Sequence, residues 1–341
     1  MPPPLTSVGV AGLHTIASSQ SLYSGGMIES TKRSKLPFLA GILQAYYRTN
    51  LRGRTRVPLL LARHWKSLQA VPIQIADWPP VFVDLRLLNS HFWLIGTPFA
   101  DSPIEKDEQL VMRRFVREAT VVFDIGANFG VHTALLARLA GPGGHVYAFE
   151  PNAELIPPLT LTVEGLGNTT LLPYALSDDD TEATFFVPSD CAMGSLSDWT
   201  SLEPMAELRR TLALGKAQTI TVRQQRMDDL VDRHTIPTPD FIKCDVEGAE
   251  LKVFRGGRTT LDRSDAPVIL FECGPESAGG FGFRMTDAAD FLLGLPQPGY
   301  QLFAVRGGGT LQRVRTADLE KHNQNVLAVP RMEAIRHPEL A

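Results

Sequence analysis

The chain has 341 residues, of which 44% are apolar, 8% aromatic and 21% charged, a balance that excludes disorder over the whole length and collagen-like or coiled-coil architectures. A net charge of -4 excludes a chain-wide electrostatic hold on nucleic acid. Three scattered cysteines, Cys191, Cys244 and Cys273, form neither a disulfide framework nor a zinc spacing, and read as reduced thiols of a cytoplasmic protein.

Residues 1–30 are rich in Pro, Ser and Gly and lack a basic segment ahead of an apolar one, so they read as a flexible tail rather than a secretory signal. Between Thr31 and Ala76 the charge polarises: nine basic residues, Lys32, Arg33, Lys35, Arg48, Arg52, Arg54, Arg56, Arg63 and Lys66, stand with no acidic one, whereas residues 77–341 carry a net charge of -12. Leu36, Leu39, Ile42, Leu43, Tyr46 and Tyr47 recur at helical spacing, and Leu59, Leu60, Leu61 and Trp65 predict a second, shorter apolar helix face. The run from Leu36 to Tyr47 is shorter than the ~20 residues a membrane-spanning helix needs. Residues 31–118 are therefore an appendage, whose basic stretch 31–76 is either a cap with a solvated basic face or a surface for anionic lipid, phosphate or a polyanionic acceptor, in peripheral contact with an anionic membrane or glycolipid. Val81–Asp84 and Phe92–Ile95 predict a small hairpin within it.

From Val121 short apolar runs alternate with helical stretches: VVFDI (121–125), HVYAFE (145–150), TLLPY (170–174), FIKCD (241–245), VILFE (268–272), YQLFAV (300–305) and NVLAV (325–329). Strands buried on both faces read as such continuous runs, and their alternation with helices predicts a doubly wound α/β domain over 119–331, followed by a tail at 332–341. After TLLPY, the runs ATFFV (183–187) and TITVRQ (219–224) predict a hairpin around a long polar stretch, Pro188–Ala217, in which Cys191 to Ser197 is either a lid or plain surface loop.

Asp124-Ile-Gly-Ala-Asn-Phe-Gly130 closes one strand and opens a helix, so that two glycines permit a tight turn while free helix N–H groups face a ligand. Its spacing is not G-x-G-x-x-G, which makes NAD the weaker candidate. Glu150 ends the next strand, where a carboxylate accepts the hydroxyls of an adenosine ribose. Adenosine without a pyrophosphate fingerprint points to S-adenosylmethionine, whose cationic end suits acidic strand tips. Ile242-Lys-Cys-Asp245-Val-Glu247-Gly-Ala-Glu250 and Glu272 supply further tips.

Together FDIGANFG (123–130), FEPN (149–152), ALSD (175–178), IKCDVEGAE (242–250) and NVLAVP (325–330) resemble the FkbM family of S-adenosylmethionine-dependent methyltransferases. The resemblance covers roughly Val121 to Pro330. It implies a Rossmann-like seven-strand sheet with its last strand antiparallel, and O-methylation of a hydroxyl on a carbohydrate, glycolipid or polyketide-type metabolite. It implies cofactor contacts from Asp124, Gly126, Ala127, Asn128 and Gly130, ribose binding by Glu150, adenine-side contacts from Ser177 and Asp178, and Asp245 facing the acceptor. Pro157-Pro158 departs from the family pattern and sets the start of the second helix near Pro157.

An aliphatic hydroxyl needs a base or a bound cation to weaken its proton. Asp245 is the expected general base, with Glu272 as orienting partner and Glu247 nearby; alternatively Asp245 and Glu272 ligate Mg²⁺. Glu250 is expected on a solvated face or in a salt bridge. His132 either touches cofactor or is a packed structural histidine, and His322 with Asn323 is a candidate for the acceptor pocket. The competing readings are an NAD-dependent oxidoreductase and a non-catalytic binding module using the basic arm.

Overall fold

The computed structural model describes residues 36–47, 49, 56–75, 78–87, 90–91, 105–188, 194–203, 206, 217–233, 235–319 and 324–340. In the N-terminal third, α1 (Leu36–Tyr47) and α2 (Arg56–Ala62) precede the antiparallel pair β1 (Val71–Ile73) and β2 (Val81–Val83), then α3 (Lys106–Phe115). The expected strand at Phe92–Ile95 lies outside the described residues, and β2 takes β1 as its partner instead. The α2 helix forms, but it buries Pro58 and Ala62 while Leu60, Leu61 and Trp65 face outward, contrary to the expected apolar packing face.

The alternation then runs β3 (Val121–Ile125), α4 (Val131–Ala140), β4 (His145–Phe149), α5 (Ile156–Glu164) and β5 (Thr169–Leu172). A side sheet follows, in which β6 (Ala175–Leu176) lies parallel to β8 (Gln218–Gln225) and β7 (Glu182–Val187) antiparallel to it. The main sheet resumes through α6 (Met227–Asp232), β9 (Phe241–Cys244), α7 (Glu250–Gly256), α8 (Arg258–Leu261), β10 (Val268–Cys273), α9 (Pro275–Gly279) and α10 (Asp287–Leu293), and finishes with β11 (Gln301–Arg306), β12 (Thr310–Val314) and β13 (Gln324–Val329). The order is β12-β11-β13-β10-β9-β3-β4-β5. From β5 to β10 every pair is parallel, and β13 inserts antiparallel between β10 and β11. The fold is the expected α/β one with an eighth strand, because Gly307–Gly309, with Gly308 and Gly309 at positive φ, reverse the chain tightly enough for β12 to pair with β11.

Helix α5 starts with its prolines in the first turn, where a missing N–H loses no bond. Its Thr162 hydroxyl accepts the Phe82 N–H at 3.0 Å and so ties the appendage to the sheet domain. Packing is continuous across that join: Leu43, Tyr47, Val71 and Val83 share one apolar cluster with Val122, Leu135 and Leu327. Helix α3 is held at the far sheet edge, where Asp107 accepts the Gly309 N–H at 3.0 Å and Glu108 accepts from Asn325. Residues expected as a C-terminal tail form α11 (Arg331–Arg336) and a final turn, Pro338–Leu340, fastened by an Arg114–Glu339 ion pair of 2.7 Å.

Candidate active site

The chain runs outward from β3 to β5 and returns to β9 on the other side of β3, so the carboxyl ends of β3 and β9 flank a topological switch point. There a cavity of about 380 Å³ opens, lined by the turn after β3, the end of β4, the residues after β9 and Glu105 ahead of α3. The strand ends nearly touch: Asp245 donates its N–H to the Ile125 carbonyl at 3.0 Å, and a Cβ on Gly126, at φ +84, would lie 1.9 Å from the Asp245 carbonyl oxygen. No side chain fits at 126.

At one end of the cavity, Glu150 is buried and both its oxygens accept backbone N–H groups, Asn128 at 2.8 Å and Asn152 at 2.9 Å. Burial pushes its carboxyl up to about 7, against the pull of those two N–H groups. Asn128 holds a left-handed φ of 53° to make its bond. Beside it the Asn152 Oδ1 takes the Glu154 N–H at 3.0 Å, which fixes the amide's orientation and leaves its buried Nδ2 with no hydrogen-bond partner among the described residues. That donor belongs to a residue lining the cavity.

At the other end Lys243 is buried among acids, with its Nζ 3.1 Å from Asp245 and 4.0 Å from Asp124. Burial disfavours its charge, but Asp245, Asp124 and Glu105 outweigh burial and raise its pKa. Asp124 lies behind the cavity wall, where Thr133 donates to its Oδ2 at 2.5 Å and its Oδ1 has no hydrogen-bond partner among the described residues. Glu105, at φ 57, places a carboxylate oxygen 3.0 Å from His132 Nε2. Burial drives the Glu105 carboxyl up to about 7 with Lys243 opposing, and burial together with Lys243 drives His132 down to about 4. The His132 ring is therefore neutral near pH 7 and lines the cavity. Three non-glycine residues with positive φ, Glu105, Asn128 and Glu247, surround this one cavity, the kind of backbone strain that collects at functional sites.

Of the residues expected from the sequence, Gly126, Ala127, Asn128, Glu150, Asp245 and Glu247 line the cavity. Gly130 does not: it precedes α4, and a Cβ there would meet Leu159 at 2.7 Å, so its role is close helix packing. Ser177 and Asp178 are a correction as well. The Ser177 N–H donates to the Gln225 carbonyl and its hydroxyl to Asp178 at 3.3 Å, while Asp178 pairs with Lys252 of α7 at 2.6 Å, and neither residue lines the cavity. Tyr174, Ala175 and Leu176 take the cavity wall instead. Glu250 is not solvated; it is buried and accepts the Val246 N–H at 3.0 Å, bracing the turn that carries Asp245. Asp245, Glu247 and Glu272 bring carboxylate oxygens within 4.8 Å of one another, and since acidic groups gather this way without an ion, no metal is assigned to them. His322, Asn323 and Cys191 lie outside the described residues. The polar stretch after β7 does return to the site: Gly194 and Leu196 line the cavity, and Ser195 donates to the Glu247 carbonyl at 2.8 Å.

Lys243, Asn152 and Glu105 were not singled out from the sequence. Strand alternation places Lys243 on the face of Asp245, so a lysine inside a buried strand was a usable signal. Asn152 stands in the FEPN motif. Glu105 had none, because only the docking of α3 brings it to the cavity.

The profile of the FkbM methyltransferase domain matches residues 124–302, just over half of the sequence. The chain belongs to the FkbM methyltransferase family. It is 28% identical over 173 residues to the hexuronic acid methyltransferase AglP of Haloferax volcanii, covering 50% of this chain and 64% of that protein. To the 2-O-methyltransferase NoeI of Sinorhizobium fredii it is 27% identical over 148 residues, 42% of this chain and 60% of that one. The chain thus spans under two thirds of each relative's length. A solved precorrin-6y C5,15-methyltransferase from Geobacter metallireducens aligns over 66% of this chain and 89% of its own with 13% identity and a TM-score of 0.36, too slight a likeness to bear on function. Within this FkbM protein the matched segment carries Asp124, Glu150, Lys243 and Asp245, whereas Glu105 precedes it.

Proposed function

We propose that the protein is an S-adenosylmethionine-dependent O-methyltransferase whose acceptor is a hydroxyl of a carbohydrate or carbohydrate-bearing metabolite. The observation that carries this reading is the polarity of the cavity: a carboxylate and an unpartnered amide donor at one end, three carboxylates around one lysine at the other. The first end suits an adenosine, with Glu150 accepting from ribose hydroxyls and Asn152 Nδ2 donating. The second end, in surplus of negative charge, suits a sulfonium and an ammonium. The cofactor supplies an activated methyl group on a cationic sulfur. What the protein must add is alignment of the acceptor oxygen and removal of its proton.

Asp245 is the general base in this reading. Its carboxylate pairs with Lys243 Nζ at 3.1 Å, lines the cavity and has Glu247 and Glu272 around it, which places it to accept the proton of an incoming hydroxyl. Lys243 orients the carboxylate and keeps its proton. Leu196 and Phe185 give the cavity an apolar wall. The family membership and the sugar-directed names of AglP and NoeI support a carbohydrate acceptor. Mass spectrometry of glycans and glycolipids from cells with and without the gene tests it: products one methyl group heavier, lost with Asp245→Asn, are expected, and an unchanged glycan profile would refute it.

A further inference from the structure

Helix α2 turns its apolar stripe away from the molecule. Val57, Leu60 and Leu61, at i, i+3 and i+4, share one helical face and are 50%, 55% and 37% exposed, while the residues packed inward are Pro58 and Ala62. Trp65, just past the helix, is 58% exposed. At 100° per residue Arg56 and Arg63 fall together on the flank of the stripe opposite Pro58, and Lys66 follows Trp65. No acidic residue occurs from Thr31 to Ala76.

We propose that α2 and Trp65 form an interfacial anchor that seats this end of the protein on an anionic lipid surface. An apolar stripe beside basic side chains, with an indole at its end, is the pattern that lies in the plane of a bilayer interface, aliphatic groups among the acyl chains and guanidinium groups among lipid phosphates. A second copy of the chain fits worse, because pairing two such faces sets Arg56, Arg63 and Lys66 against their own kind, and a stripe of four side chains falls short of the roughly 1,000 Å² that a specific protein interface buries. A nucleic acid fits the charge but leaves the aliphatic stripe in water. The proposal is independent of the assigned chemistry.

The test is co-sedimentation of the full chain with vesicles of phosphatidylcholine alone and of phosphatidylcholine with about a third phosphatidylglycerol. The wild type is expected to partition at least about tenfold more into the anionic vesicles, with its tryptophan emission shifting to the blue and the binding weakening as salt rises from about 0.1 to about 0.5 M. A Leu60→Ser/Leu61→Ser variant loses binding about fivefold or more, and an Arg56→Ser/Arg63→Ser variant loses the preference for anionic vesicles. Because these side chains are exposed, melting temperatures and S-adenosylhomocysteine affinity of both variants should match the wild type, which separates loss of docking from loss of fold. Equal partition into both vesicles, binding untouched by the serine variants, or a wild-type dimer that the leucine variant dissociates without any vesicle binding would each overturn the proposal.

Discussion

Lys243 is the residue on which the acidic end of the cavity depends. Replacing it by methionine keeps the volume but leaves Asp124, Asp245 and Glu105 facing one another without a cation. Asp245 and Glu105 keep 34% and 39% of their side chains exposed, so removing the cation from this partly buried set costs about 1–3 kcal/mol rather than the larger loss of a fully buried one. Denaturant unfolding of Lys243→Met at pH 8 should show a loss of that order, and the gap should narrow near pH 5, where Glu105, whose carboxyl burial raises to about 7, holds a proton and adds no charge to the set. A variant as stable as the wild type at pH 8 would mean the three acids are screened by water. Asn152 makes a separate test. Its Nδ2 is buried without a partner among the described residues, so Asn152→Ala costs the fold mainly the Oδ1 bond to the Glu154 N–H, about 1 kcal/mol, and removes a donor from any ligand. S-adenosylhomocysteine affinity should fall by about 1 kcal/mol, or roughly fivefold, in protein that is still fully folded at the temperature of the titration; unaltered affinity would place the ligand elsewhere.

At the scale of elements, the turn after β9 is braced by Glu250, whose carboxyl burial raises to about 7 against the N–H groups of its own residue and Val246. A folded-state value above the unfolded one means the native protein holds a proton that the unfolded chain has released, so this group lowers stability progressively as pH rises from about 4.5 through about 7. Glutamine keeps an oxygen for the Val246 N–H and cannot ionise. Glu250→Gln should therefore gain on the wild type as pH rises across that window, by about 3 kcal/mol at most by pH 8 at 1.36 kcal/mol per unit. Parallel denaturation curves with a constant offset from pH 5 to 8 would contradict it. The same turn shows what the sequence could reveal. The strand runs, the glycine turn and the acid at each strand tip were readable, because parallel strands buried on both faces announce themselves as apolar runs and ligands sit beyond their carboxyl ends. Glu250 was misread because helical spacing alone cannot tell a carboxylate that points to solvent from one that caps the preceding turn. Ser177 and Asp178 were misplaced because the pairing of β6 with β8, invisible in local pattern, turns them away from the cavity.

For the whole molecule, the appendage is part of the site rather than an attachment to it. Its apolar residues join the main cluster, and α3, pinned through Asp107 to the β11–β12 reversal, delivers Glu105 to the cavity. That long-range arrangement had no trace in the sequence, since composition marks 31–76 only by charge and Glu105 stands in an ordinary acidic stretch. Glu105→Gln should consequently weaken S-adenosylhomocysteine binding by about 1–2 kcal/mol while leaving 5′-methylthioadenosine, which lacks the amino-acid end, bound as before; equal losses for both ligands would show a general disturbance of the cavity instead. The central claim, that acids after β4 and β9, with Glu105 ahead of α3, enclose an adenosine-bearing cation, is tested most directly by calorimetric titration of wild-type protein and Glu150→Ala with S-adenosylhomocysteine and NAD. The account predicts one-to-one binding of S-adenosylhomocysteine by the wild type, about 1–3 kcal/mol weaker in Glu150→Ala, and no heat from NAD. Equal affinity in the two proteins, or binding of NAD in preference to S-adenosylhomocysteine, would contradict it.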